Sequence, residues 1–156
     1  MKYISHRGNI NGKNINKENS PEYIDIAIES YYDVEIDIWY IDNILYLGHD
    51  EPSNKIEFRW LRDRISKLWI HCKNLESLYY LKSSGYKLNY FWHQNDSFTL
   101  TSDEYIWTYP GEKLTRSSIC VLPEIVNYTD DELKQCAGIC SDVIEKYKLT
   151  INISNK

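Results

Sequence analysis

Residues 34–50 read VEIDIWYIDNILYLGHD, and this stretch decides the fold. From Asp33 to Ile41 apolar and polar positions alternate with period two, the pattern of a strand. Asp42-Asn43 is a turn signal, and a second short apolar run follows it, ending in Gly48, His49 and Asp50. The two runs predict a β-hairpin. Successive strand side chains point to opposite faces, so Glu35 and Asp37 share one face. Val34, Ile36 and Ile38 take the other, as the apolar outer wall of a barrel would. Two carboxylates on an enclosed face cost free energy unless they are paired or hold a cation.

Working outward, "YISH" (3–6) predicts a strand that runs directly into Arg7 and Gly8. "NSPEYIDIAIES" (19–30) predicts a helix, with Asn19 or Ser20 as cap, Pro21 in the first turn and Glu22 complementing the dipole. Downstream, "EFRWLRDRISK" (57–67) has helical spacing and "LWIHCK" (68–73) reads as a strand. That strand places His71 and Lys73 on one face and Cys72 on the other. "NLESLYYLKSSG" (74–85) predicts a helix stopped by Gly85. "LNYFWHQ", "YIWTYPG" and "SICVLPE" predict three more strands, and "TDDELKQC" a helix capped by Thr129. "AGICSD" predicts a strand, "VIEKYK" a short helix, and "LTINIS" (149–154) a last strand.

This alternation predicts an α/β fold of βα units around a parallel sheet or barrel. The back half is short of connecting chain. Only "NDSFTLTSDE" and "GEKLTRS" separate its strands, whereas a parallel crossover normally takes about a dozen residues or more. Either these connections are extended and free of helix, or one pair is antiparallel.

At 156 residues the chain forms one domain, 1–156, long enough to bury a core without disulfides. A net charge of −5 argues against nucleic-acid partners. The apolar runs are strand-sized, which predicts no membrane span. No leader is visible at the N-terminus, which predicts a cytoplasmic protein with reduced thiols. Cys72, Cys120, Cys136 and Cys140 form no paired C-x-x-C clusters. Cys136 and Cys140 have the spacing of a helical metal clip, but free cysteines in apolar runs are better read as small core residues.

The ionisable residues gather at strand ends in a recognisable order: "SHRGN", "ENSPEYIDIAIES", "VEIDI", "GHDEP" and a terminal "AGICSDV". In this order the chain resembles the glycerophosphodiester phosphodiesterases, of the superfamily that includes the phosphatidylinositol-specific phospholipases C. Most of the resemblance lies in the first fifty residues. It implies a small, trimmed TIM-type (β/α) barrel with reduced outer helices in the second half, since barrels of this type run to about 250 residues. It implies His6 and His49 as the acid–base pair and Glu35 and Asp37 as metal ligands. At the third position, where the family has Glu-x-Lys, this chain has His71-Cys72-Lys73. His71 as third ligand keeps a divalent cation (Mg, Ca or Mn) in place and admits Zn.

The substrate contacts it implies are Arg7, as a fork on a phosphate oxygen, Lys73 and Asn19. Gly8 would let the backbone approach the phosphate. His93 either lines the pocket or bonds to Asp96, and Glu124 is either a pocket residue or a polar strand end. The implied activity is metal-dependent hydrolysis of a small glycerophosphodiester or related sugar or polyol phosphodiester. Transfer giving a cyclic phosphate, or phosphodiester binding without catalysis, are the alternatives. Walls left bare by missing helices predict a homo-oligomer.

Overall fold

The computed structural model describes residues 1–153, with side chains described through Ile151. Its centre is a run of parallel strands. β1 (Lys2–His6) lies between β2 (Asp33–Ile41) and β10 (Gly138–Ser141). β5 (Leu68–Cys72) and β6 (Tyr90–Phe91) extend the sheet beyond β2, and β9 (Ser118–Val121) and β8 (Ile106–Thr108) extend it beyond β10. Two antiparallel additions break the pattern. β3 (Ile44–Leu47) folds back on the second half of β2 and β4 (Asn54–Ile56) on β3, and β7 (Phe98–Leu100) pairs with β8.

The helices are α1 (Pro21–Glu29), α2 (Phe58–Arg62), α3 (Leu75–Ser83), α4 (Asp130–Gln135) and α5 (Ile144–Ile153), with a 3₁₀ turn at Pro123–Ile125. The trimmed TIM-type barrel is therefore corrected: the described residues form a mixed-sheet half-barrel of ten strands with five short helices. The reason is chain length. Between β6 and β8 the chain makes the antiparallel β7 instead of a helix, and β8 reaches β9 through turns and extended chain without a helix. Of the two routes considered for the back half, the helix-free parallel connection is the one used between β8 and β9, and the antiparallel pair is made by β7, a strand inside the connection, rather than by two of the expected strands. Another correction concerns "LTINIS": through Ile153 it continues α5, because Ile144, Tyr147 and Ile151 fall on one helical face in a common cluster. Ser154 lies outside the described residues.

The register builds the site. His6 stands opposite Glu35 on β2, and Asp37 stands opposite His71 on β5. The concave face carries an apolar layer of Ile4, Trp69, Phe91, Trp107 and Cys140. Two residues further along each chain segment come His6, His71, His93, Tyr109 and Asp142. One period of the pleat thus separates packed core from polar chemistry. On the convex face Val34, Ile36, Ile38 and Ile70 pack against Ile24 and Ala27 of α1 and Leu81 of α3.

The four cysteines are free and buried. Cys136 ends α4 while Cys140 lies in β10, so no helix joins them as a clip. No helix among the described residues is long and apolar enough to cross a membrane.

Candidate active site

His6 ends β1 and is buried. Its Nδ1 is 2.7 Å from Asp142 Oδ1, and its Nε2 lies 3.8 Å from Glu35 Oε2. Burial opposes charging this imidazole, but the Asp142 hydrogen bond and the Glu35 charge prevail and raise its pKa. Asp142, just past β10, is held below the usual carboxylate range: His6 and the Asn9 amide outweigh its desolvation. Glu124 accepts from Ser141 Oγ at 2.9 Å and from the Asp142 amide at 2.8 Å. It therefore fixes the loop that holds Asp142.

Asp37 is fully buried and is the hub of the site. Its Oδ1 is 3.0 Å from His71 Nδ1 and 3.5 Å from Lys73 Nζ. Its Oδ2 accepts from Asn19 Nδ2 at 2.8 Å and lies 3.1 Å from Arg7 Nε and 3.3 Å from His49 Nδ1. Desolvation alone would raise its pKa, but hydrogen bonds from His49 and His71 and the Arg7 charge hold it well below the usual range. Asn19 also accepts the Asp37 amide at 3.0 Å, so both ends of its side chain are spent on Asp37. It occupies a left-handed conformation, φ 57°, just before α1. The structure makes it a brace for Asp37.

Glu35 has the opposite environment. It is buried, and its Oε2 has no hydrogen-bond partner. Burial, then the Asp37 charge, raises its pKa. Ligand atoms of Glu35, Asp37 and His71 all lie within 4.8 Å of one another. Two carboxylates and an imidazole at that spacing suit a divalent cation, and the orphaned Glu35 oxygen is the kind of group a cation would satisfy.

Arg7, in a left-handed conformation with φ 54°, also reaches Glu18 at 3.3 Å and His49 Nε2 at 3.2 Å. Lys73 Nζ is 3.4 Å from His49 Nδ1. His93 stacks on His71 with ring centroids 4.6 Å apart and lines the cavity, and its Nδ1 has no partner. Asp96 accepts from the Gln94 amide at 3.4 Å, and His93 is placed on the cavity wall. Burial, followed by the charges of His71 and Lys73, lowers its pKa to about 4. Gly8, with φ +94°, has a packing reason: a Cβ there would sit 2.6 Å from Tyr23 Cδ1 on α1.

The cavity at this strand end measures about 650 Å³. His6, Arg7, Glu35, His49, His71 and Lys73 line one part of it, and Trp92, Trp107 and Tyr109 another. A groove of about 600 Å³ shares His6, Arg7 and His49 and continues past Lys13, Asp50 and Ser53. The strand ends thus bring together all the predicted ligands and both histidines. Glu124 stands behind them, as a support for Asp142. Sequence reasoning carried Asn9, Glu18 and Asp142 inside the motifs "SHRGN", "ENSPEYIDIAIES" and "AGICSDV" but gave none of them a role in the site. For Asp142 a signal was present: it lies two residues beyond Cys140 on the same strand face. No protein-family model, curated protein or solved structure matches the chain.

Proposed function

We propose that this chain hydrolyses a small phosphodiester by acid–base catalysis between His6 and His49. One observation supports the reading above the others. Each imidazole sets Nδ1 against a carboxylate, Asp142 for His6 and Asp37 for His49, and leaves Nε2 on the side of Glu35 or Arg7. A binder needs cations for a phosphate, but it does not need two imidazoles each oriented by an acid.

The roles follow from proton placement. Arg7 donates to His49 Nε2, which puts the His49 proton on Nδ1 toward Asp37. In this tautomer the Nε2 lone pair of His49 takes the proton of an attacking water once Arg7 swings its fork onto the phosphate. His6, whose pKa Asp142 raises, holds a proton and delivers it to the departing alkoxide. Arg7 and Lys73 offset the charge that grows on the phosphate oxygens. Glu35, Asp37 and His71 would hold a divalent cation, which when bound supplies Lewis-acid polarisation of the phosphoryl group.

The test is the pair His6→Ala and His49→Ala on an unactivated phosphodiester. Each should lower kcat by about 10²–10⁴-fold, the usual cost of losing a general acid or base. The double variant should lose much less than the product of the two. A substrate with an activated leaving group should partly rescue His6→Ala and not His49→Ala. Near-normal turnover in both single variants would overturn the reading.

A further inference from the structure

The open seam of the half-barrel shapes the cavity. No strand ladder joins β6 to β8 among the described residues, and rings fill the gap instead. Trp107 contacts Phe91 at 4.6 Å, Phe91 stacks on His71 at 5.2 Å, His71 on His93 at 4.6 Å, and His93 meets Tyr109 edge-on at 6.3 Å. This run of rings starts in the apolar layer, passes the proposed metal ligand His71, and ends at the rim. A wall with only a packing role would be covered, yet Tyr109 is 52% exposed and Trp92 is partly open to the same cavity.

We propose that the substrate carries a flat aromatic ring on one ester arm, seated against this wall at the β6–β8 seam. The inference rests on the phosphodiester reading and names the substrate class of that same site. A cavity of about 650 Å³ is roomy for a phosphoglycerol and suits a ring-bearing ligand. The wall is apolar on its faces, through Trp107 and Tyr109, with Trp92 at its margin where it leaves the convex cluster, and polar at its edge, through the unpartnered His93 Nδ1 and the exposed amides of Gln94 and Asn95. That combination fits a ring with a hydrogen-bonding perimeter. A quaternary ammonium also favours aromatic faces, but it asks for a nearby anion. Among the described residues the carboxylate lining this cavity, Glu35, lies on the side of the candidate cation site, Asp96 beside the rim accepts from the Gln94 amide, and the cation Lys73 stands at the inner end of the ring wall. The groove on the other side of Arg7, with Lys13, Asp50 and Ser53, is left for the second, polar arm.

The test is calorimetric titration of the full-length protein, with manganese present, by four phosphate monoesters that stand for product halves. These are phenyl phosphate, adenosine monophosphate, glycerol phosphate and choline phosphate. At least one ring ligand should bind about tenfold tighter than glycerol phosphate, a typical effect of one stacked ring. Comparing the two ring ligands tells an aryl group from a nucleobase. Tyr109→Ala, at a half-exposed position, and Trp92→Leu should narrow the ring-to-glycerol ratio to within about twofold, an expectation from the same stacking term. Arg7→Gln should weaken all four ligands. Equal affinities, tightest binding of choline phosphate, or a Tyr109→Ala loss shared by all ligands would each overturn the inference. If glycerol phosphate binds through Arg7 and rings add nothing, the ring arm alone fails. If none of the four binds and no phosphodiester is hydrolysed, the phosphodiester reading fails and takes the inference with it.

Discussion

At the scale of single residues, Glu35 and Asp37 share a strand face and a burial, yet their carboxyls shift in opposite directions. The difference is partners. Asp37 collects Arg7, Lys73, His49, His71 and Asn19, while one oxygen of Glu35 has none. Asn19→Ala would strip two hydrogen bonds from Asp37 and leave buried groups unsatisfied, so unfolding should be easier by about 1–3 kcal/mol. Chemical denaturation of the chelated protein measures it. Asp142 gives a pH dependence. Its folded pKa is depressed and that of His6 is raised. The Asp142 contribution is therefore present above its unfolded pKa and lost as pH falls through the folded one. The His6 contribution is full below its unfolded pKa, about 6.5, and lost as pH rises through the folded one. Wild type should exceed Asp142→Asn in stability most between those limits, and the gap should narrow both as pH falls through the folded pKa of Asp142 and as it rises through that of His6. A gap that does not change with pH would mean that the pair is not ionic. His6, Glu35, Asp37 and His49 were legible because strand alternation and strand ends expose them in sequence. Asp142 was less so, since nothing local says that a remote strand end faces His6. Tyr109 and Trp107 looked like core, because an aromatic in an apolar run reads the same whether it faces a core or a cavity.

At the scale of elements, β2 organises the molecule. Its first half pairs with β1, its second half with β3, and its other edge with β5. Asn74 ties α3 to this strand. Its Oδ1 accepts from the Ser77 amide at 3.2 Å, capping the helix, and from the Tyr40 amide at 3.2 Å, while Nδ2 donates to Tyr40 O at 2.9 Å. Asn74→Ala loses the cap and both inter-element bonds, so it should cost about 2–3 kcal/mol. Asn74→Asp keeps the cap acceptor and should recover part of that in the same melt. The β2–β3 hairpin was legible because Asp42 and Asn43 take left-handed conformations, φ 49° and 63°, that these residue types tolerate. β4 and β7 were not, since three residues are too few to display a period. The stretch 149–153 misled because its isoleucines alternate, and only Ile144 and Tyr147 upstream disclose the helical face that Ile151 completes.

At the scale of the whole molecule, the mixed sheet ends in an edge strand, β7, with Phe98 48% and Leu100 67% exposed on the same side. Unpaired strand edges flanked by apolar side chains invite pairing with another chain. Light scattering at micromolar concentration should give more than one chain per particle, and Phe98→Lys with Leu100→Lys should return it to one. A wild type that is monomeric at every concentration would show that this edge is tolerated bare. The candidate cation site makes a second global prediction. Glu35 sits in the interior with an oxygen that no protein group satisfies, so in chelator it weighs against the folded state. A cation bound only by the folded chain reverses this. At a hundred times its Kd it adds about 2.7 kcal/mol, which in a domain of this size raises Tm by about 5–10 °C. Glu35→Gln removes the buried charge while keeping the shape. Its melting point in chelator should equal or exceed that of wild type, and manganese should no longer raise it. The two effects have opposite signs in one variant, which general loosening of the fold does not produce. Should wild type melt at the same temperature in chelator and in millimolar Mg, Mn, Ca or Zn, the site holds no cation. Phosphate chemistry here would then rest on Arg7 and Lys73.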